Sequence, residues 1–293
     1  VSDHQTSLLG EDGAATIGNA VAHCLAELPA TRARARNTVP AVVAGIGTTA
    51  PHALQGALLL DALARYEVPV DRTVPFADPA GLTADESWNL ALVLSPWKQD
   101  VASRLAALTP SAAQTGVVDT VVRGDGGTVG VNTNSWAAQA AMETLLGGQS
   151  PASVVILGSG GSSNSVALAV RRAWPKTRLI GSARNTDALR AWADRCDAET
   201  VAPGELGALF AEKAPTLLVN TTTWGETDAS EEQPFAFEFA ALTAPGNSYF
   251  DLNNRVSALQ TSALRAGMNV MSGTFMQRAT NACRAALLAT RPR

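Results

Sequence analysis

Val154-Val-Ile-Leu-Gly158-Ser-Gly160-Gly161-Ser-Ser-Asn164 is the stretch on which the fold turns. Four apolar residues in succession suit a strand buried on both faces of a parallel sheet. The glycines that follow allow a tight turn and a close backbone approach, and Ser165 to Trp174 reads as the next helix. Strand, glycine turn and helix in that order offer unpaired backbone N–H groups and a positive helix end to a pyrophosphate. The stretch departs from G-x-G-x-x-G at its last position, which is Ser163. Its mid-chain place starts a nucleotide-binding region near residue 137 and leaves the first half free for another structure.

Downstream, strands are predicted at 153–157, 178–182, 216–220 and 247–251, with helices at 163–174, 186–195 and 205–213. This βαβ rhythm and the right-handed crossover rule give a parallel sheet. Residues 256–266 and 274–290 read as helices, the last expected to pack back on the first region. Upstream, residues 14–28 have helical apolar spacing and stop at Pro29, an accessory helix ahead of the main fold. Strands follow at Val39–Ile46, Val68–Phe76 and Leu90–Leu94, with an apolar-striped helix from His52 to Tyr66. Valines flank Asp119 in a further strand, and the Gly124-Asp-Gly-Gly127 turn returns the chain through Thr128–Val131 as a hairpin. The fold class is therefore α/β with two domains. Residues 1–37 form a helical extension, 38–136 with 255–293 an N-terminal α/β domain completed by C-terminal helices, and 137–254 a Rossmann-type domain.

Composition narrows the function classes. The 293 residues carry a formal net charge of −4 and no basic block, which argues against a nucleic-acid surface. No apolar run spans a bilayer, and Val1–Gly13 is polar and acidic rather than signal-like, so a cytoplasmic setting away from membranes is expected. Cys24, Cys196 and Cys283 are far apart and read as buried or half-buried thiols. His4, His23 and His52 are the only histidines, too few for a histidine-rich metal site, and no metal is expected.

Three polar residues stand at element ends in the first half. Lys98 follows Ser95-Pro96-Trp97 at a strand-to-helix junction, where α/β side chains reach a ligand crevice. Asp119 is a carboxylate among four valines, costly unless paired or set in a cleft. Asn134 closes Asn132-Thr133-Asn134 just after the return strand.

With these pieces in view, the chain resembles the shikimate/quinate dehydrogenase family over residues 38–290. The family's Val-Thr-Ile-Pro-x-Lys is matched by Val93-Leu-Ser-Pro-Trp-Lys98, and its Ala-Val-Asn-Thr by Val117-Val-Asp119-Thr120. Its Gly-Tyr-Asn-Thr-Asp is matched by Gly130-Val-Asn132-Thr133-Asn134, and its Asn-Ala-Thr-Pro-x-Gly by Asn220-Thr-Thr-Thr-Trp224-Gly225. Gly158-Ser-Gly160-Gly161 matches the glycine turn, and Gly273-Thr-Phe-Met276 the family's Gly-x-x-Met.

The resemblance implies reversible hydride transfer between NADP, with NAD the alternative, and a secondary alcohol on a cyclic hydroxy acid or related polyol. It makes Lys98 the proton-transfer or alkoxide-stabilising group. The family aspartate position holds Asn134 and the family asparagine position holds Asp119, which suggests an exchange of roles between these two. On the cofactor side it implies Gly158, Ser159, Gly160, Gly161 and Ser162 at the pyrophosphate. Arg184 and Asn185 fall at the adenine and 2′-phosphate, with Arg190 as help. Thr221, Thr222, Trp224, Gly273 and Met276 fall nearer the nicotinamide. No acidic residue ends the strand before Arg184, which favours NADP. The acid pocket departs from the family. Thr48 and Thr49 keep one of two expected hydroxyls, Leu94 replaces a threonine, Asn254 a tyrosine and Thr280 a glutamine. A different substrate, or a modified acid held by His52, Arg255 or Arg278, is expected rather than shikimate itself. The alternatives are a catalytically impaired nucleotide-binding regulator and a true shikimate dehydrogenase with an altered pocket. The partner is a small molecule, and the chain a monomer or homodimer.

Overall fold

A computed structural model describes residues 3–28, 40–124 and 126–290, with side chains from residue 13. Helix α1 (Asp3–Ala26) precedes strand β1 (Ala41–Ile46). Helices α2 (Ala50–Leu54) and α3 (Ala57–Arg65) lead to β2 (Val70–Phe76), and α4 (Pro79–Ala84) to β3 (Leu90–Val93). After α5 (Lys98–Arg104) and α6 (Pro110–Thr115) come β4 (Thr120–Gly124), β5 (Gly127–Val131) and α7 (Thr133–Leu145). The predicted stop at Pro29, the strand start at Val39 and Asp125 of the hairpin turn lie outside the described residues.

These strands make a five-stranded sheet in the order β2-β1-β3-β4-β5. β1 runs parallel to β2 and β3, whereas β3, β4 and β5 pair antiparallel. Every residue of β1 is buried, as its unbroken apolar run requires, and Ile46, Leu82, Trp88, Val93, Val101 and Val121 share one core with it. The single helix expected over His52–Tyr66 is two. Gln55 N–H bonds to the His52 carbonyl at 3.2 Å, and Gly56 turns extended (ψ 134°) to start α3.

The second sheet is built from β6 (Ser153–Leu157), β7 (Arg178–Ser182), β8 (Glu199–Thr200), β9 (Leu217–Asn220), β10 (Ser248–Asp251) and β11 (Asn269–Ser272). Its helices are α8 (Gly161–Ala173), α9 (Thr186–Cys196), α10 (Leu206–Leu209), α11 (Asp228–Glu231), α12 (Ala258–Arg265) and α13 (Gly273–Ala289). All six strands are parallel in the order β11-β10-β9-β6-β7-β8, the doubly wound arrangement in which the chain reverses direction between β6 and β9. The helix expected at 205–213 is only the one turn of α10 after a 3₁₀ turn.

Residues 255–293, read from sequence as completing the first region, divide instead. Four residues after the left-handed turn at Gly267 (φ +77°) form β11 beside β10, a strand too short for periodicity to reveal. The chain separates into one unit of Ile17–Ala137 with Arg278–Arg293 and another of Val1–Thr16 with Ala138–Gln277. They are called below the amino-terminal unit and the parallel-sheet unit. The parallel-sheet unit has its own core, with Val155, Leu157, Ile180, Leu218, Phe239 and Tyr249 at its centre. Among the described residues no helix is long and apolar enough to cross a membrane. Cys24 and Cys283 are buried and Cys196 partly so, all as free thiols, and burial pushes Cys196 up to about 11.

Candidate active site

In the parallel-sheet unit the carboxyl end of β6 turns sharply at Gly158, whose N–H bonds to the Ser182 carbonyl at 2.8 Å. Thr221 ties the loop after β9 to the same place: its N–H and hydroxyl both reach the Leu157 carbonyl, at 2.9 and 2.7 Å. Gly158 sits at φ +114°, and a Cβ there would stand 2.6 Å from Thr221 Oγ1. Only glycine allows both this turn and that approach. Gly160 then starts α8 with no side-chain cap and no acidic residue in the first turn. The first N–H groups and the positive helix end are thus left for an anion.

A cavity of about 850 Å³ opens here, at the switch point between β6 and β9. It is lined by Gly158, Ser159 and Gly160, by Arg184 and Asn185, and by Thr221, Thr222 and Trp224. Gly161 and Ser162 lie in the first turn of α8, while Gly273 and Met276 open α13; none of these four lines the cavity. Gly273 packs against the Leu252 carbonyl so closely that a Cβ has no room. Arg184 is exposed at the cavity, Asn185 caps α9 by accepting from Ala188 N–H at 3.0 Å, and Arg190 faces Asp187 at 3.6 Å. β7 ends in Ser182, whose buried hydroxyl has no hydrogen-bond partner among the described residues.

The far wall went unread in the sequence. Ser230, Gln233, Phe235 and Phe237 line the same cavity. Trp224 Nε1–H donates to the Gln233 carbonyl at 2.7 Å, and the Trp224 and Phe235 rings stand 5.0 Å apart. The aromatic residues at 235, 237 and 239 were the available signal, since alternate aromatics mark one side of an extended segment. Behind this loop Asp251 is fully buried. It accepts from Asn220 Nδ2 (3.2 Å), Tyr249 Oη (3.2 Å), Asn253 N–H (3.1 Å) and Ser257 Oγ (2.7 Å). Burial raises its carboxyl above the ordinary range, against the pull of these donors. Asn220 in turn receives the Thr222 N–H and hydroxyl, so the network sets the loop that lines the cavity.

The amino-terminal unit holds the other candidates. Lys98 is buried in the first turn of α5, and its carbonyl accepts from Val118 N–H at 3.0 Å. Asp119 is fully enclosed just before β4. One oxygen accepts from Thr133 N–H and from the Thr120 and Thr133 hydroxyls, the other from Asn134 N–H at 2.6 Å. It therefore caps α7, a role that satisfies helix N–H groups and stabilises a negative charge. Asn134 is half-buried, and its side-chain oxygen accepts from the Thr280 hydroxyl at 3.1 Å. The structure thus joins Asp119, Asn134 and Thr280 directly and sets Lys98 on the neighbouring backbone. Thr48 and Thr49 are exposed at the start of α2, as is His52. Asn254 is exposed in the parallel-sheet unit, where Arg255 is paired with Asp228 at 2.6 Å. Arg278 is half-buried in α13. No group of three or more metal-ligating side chains occurs among the described residues.

A doubly wound sheet with a glycine turn and cavity at its switch point, preceded by a mixed α/β unit, defines a two-domain α/β protein of Rossmann type. No family model matches the chain. It is 32% identical over 186 residues to shikimate dehydrogenase (NADP(+)) of Oleidesulfovibrio alaskensis, covering 63% of this chain and 64% of that one. Shikimate 5-dehydrogenase of Thermus thermophilus, solved with NADP(H) and shikimate, superimposes with a TM-score of 0.72 at 22% identity, over 86% of this chain and 94% of that one. Quinate dehydrogenase of Corynebacterium glutamicum, solved with NAD, gives 0.71 at 22%, over 84% and 93%. At this level of identity the chain is similar to shikimate dehydrogenases over part of its length and shares the fold of the shikimate and quinate dehydrogenases. It spans just under two thirds of the length of the curated relatives it matches.

Proposed function

We propose that this protein is an NADP(H)-dependent oxidoreductase acting reversibly on a secondary alcohol of a cyclic hydroxy acid or related polyol, with a pocket not fitted to shikimate. The observation that carries the reading is the cavity at the β6/β9 switch point, which gathers the glycine turn, Arg184 and the Thr221–Trp224 loop. Its residues fit the dinucleotide: Gly158 leaves the space a Cβ would fill, α8 offers uncapped N–H groups, and Arg184 offers a guanidinium where no acid competes. Bound NADPH would supply the hydride.

The chain's own residues do the rest. Gly158, Ser159, Gly160 and the α8 residues Gly161 and Ser162 hold the pyrophosphate. Arg184 and Asn185 take the 2′-phosphate end, and Thr221, Thr222 and Trp224 wall the nicotinamide, with Gly273 and Met276 behind. Lys98 moves a proton to or from the substrate oxygen, or holds its developing charge. Asn134 meets the same oxygen. Asp119, with both oxygens turned to the start of α7, acts as a positioning residue for Asn134. Thr48, Thr49, Asn254 and Thr280 are the substrate-side candidates; Thr280 acts through its bond to Asn134. The enclosure of Asp119 favours one second reading, a nucleotide-binding regulator without catalysis, because it leaves Asn134 as the amide in the family's aspartate position.

The test is a fluorescence titration with NADPH and NADH, followed by turnover over a panel of cyclic hydroxy acids and polyols. NADPH binding with turnover supports the dehydrogenase. Binding with no turnover across the panel supports the regulator, and absence of nucleotide binding sinks both.

A further inference from the structure

The far wall of the cavity is a loop tied across its own base. Trp224 Nε1–H donates to the Gln233 carbonyl at 2.7 Å, which brings residues 224 and 233 together, and the Phe235 ring stands 5.0 Å from that of Trp224. Between these two residues lies α11, where Thr227 and Ser230 cap each other. Ser230 N–H donates to Thr227 Oγ1 and Thr227 N–H to Ser230 Oγ, both at 3.2 Å. Ser230 Oγ also accepts from Gly225 N–H at 2.9 Å. The loop is thus braced internally, and Trp224, Ser230, Gln233 and Phe235 all line the cavity. Where this wall stands depends on what holds its outer side.

The segment after β10 supplies that hold. Asn253 Nδ2 donates to the Trp224 carbonyl at 2.8 Å. Two residues on, Arg255 reaches both acids of α11. Its Nη2 donates to Asp228 at 2.6 Å, and its Nη1 stands 3.6 Å from Glu231. A planar guanidinium is suited to span two carboxylates in this way. Glu231 also accepts from Ala258 N–H at 3.2 Å, at the positive end of α12. The Arg255 carbonyl accepts from Gln260 Nε2 at 2.9 Å, so the arginine's own backbone is fixed to α12. The contact with Glu231 is incomplete. Nη1 is buried without a hydrogen-bond partner among the described residues, and Glu231 lies roughly half an ångström beyond hydrogen-bond range. A step of that size by α11 would complete it.

Resting on the dehydrogenase reading for its ligand, we infer that Arg255 is a positioning residue that clamps the aromatic wall of the cavity through Asp228 and Glu231, and so sets the affinity for the dinucleotide. With its guanidinium on two carboxylates, it serves the wall rather than a substrate acid. A wall already in place has less to order when a ligand arrives, and that saving appears as affinity. The effect is modest, because the Asp228 side chain is 93% exposed and water screens the pair. Both carboxylates reach Arg255 from one short helix, so loss of the arginine loosens the wall at two points.

The test pairs a fluorescence titration with NADPH and, without nucleotide, amide hydrogen exchange of residues 224–237 followed by mass spectrometry. Arg255→Gln should weaken NADPH binding about fivefold, the upper end of what a partly exposed ion pair contributes. Exchange should quicken in 224–237 and stay as in wild type in β6 and β9. Arg255→Lys keeps the charge and should recover most of the affinity. Asp228→Asn alone should cost about two- to threefold and add little to Arg255→Gln, as a shared contact requires. NADPH affinity unmoved by Arg255→Gln, fully additive losses in the double variant, or exchange that is unchanged in 224–237 or quickened across the whole sheet overturns the proposal. The exchange measurement keeps the two readings apart. If wild type binds no NADPH while Arg255→Gln still loosens 224–237, the clamp stands and the dinucleotide reading alone falls.

Discussion

The cavity at the ends of β6, β7 and β9 is made largely of backbone, whereas the group around Asp119 and Asn134 is made of side chains. The first depends on where the chain runs: a glycine at positive φ, helix N–H groups and a loop tied to the Leu157 carbonyl. A site of this kind tolerates a serine such as Ser163 in place of a glycine, because any residue other than proline supplies an N–H. The second depends on which atom stands where. Exchanging a carboxylate and an amide between 119 and 134 reverses what each position donates or accepts, with the strands and α7 still in place. Divergence within one fold is thus cheap in ligand chemistry on the side-chain side and expensive on the backbone side.

The contrast is most exposed to failure at Lys98. Lys98→Met should lower kcat/KM by about 10²–10⁴-fold, the usual worth of a proton-transfer group, while leaving NADPH affinity unchanged in the fluorescence titration. A matching loss in both would mean that the amino-terminal group supports the fold rather than the reaction.

Gly158→Val should act in the opposite sense. A β-branched residue at φ +114°, with Cβ against Thr221 Oγ1, should weaken NADPH binding by on the order of 10–100-fold, the cost of a strained backbone position. The far-ultraviolet circular dichroism of the folded protein should be unchanged. If NADPH binds Gly158→Val as tightly as wild type, the backbone account of the cavity fails.

Arg184→Ala tests a side chain within the backbone site. NADPH should bind about tenfold more weakly and NADH about equally, as one charged hydrogen bond to a phosphate predicts. The difference should shrink in high salt. Equal losses for the two nucleotides would assign Arg184 to the adenine alone.

The smallest effect is expected behind the cavity, at Asp251. Burial raises its folded-state pKa, so the folded state binds its proton more tightly than the unfolded chain does. The stability this gives is complete below the ordinary carboxylate value, near about 4, and is lost as pH rises through the raised value. Asp251→Asn should flatten the fall in thermal midpoint across that window. A wild-type midpoint that rises over the same range would reverse the assignment.

Much of this architecture was legible from residues alone. The apolar run at 154–157 and its glycines placed the parallel sheet, and the spacing from Lys98 to Asn134 placed the candidate polar group at element ends. Strand β11 escaped because four residues show no period, and its identity depends on β10 beside it. The split between α2 and α3 escaped because an apolar stripe runs through both. The cavity wall of Ser230, Gln233, Phe235 and Phe237 was missed because the loop that carries it is folded by long-range contacts, above all Trp224 to Gln233.

The sequence by itself determined the two kinds of unit, the glycine turn and the presence of an acid at 119 and an amide at 134, because periodicity, backbone freedom and side-chain chemistry are local properties. Tertiary structure alone decided which groups these two residues touch. Arg284 and Thr280 lie about 150 residues further along the chain, and only folding sets them against Asp119 and Asn134. The direction of a hydrogen bond is a property of a pair, and the pair exists only once the chain has closed on itself.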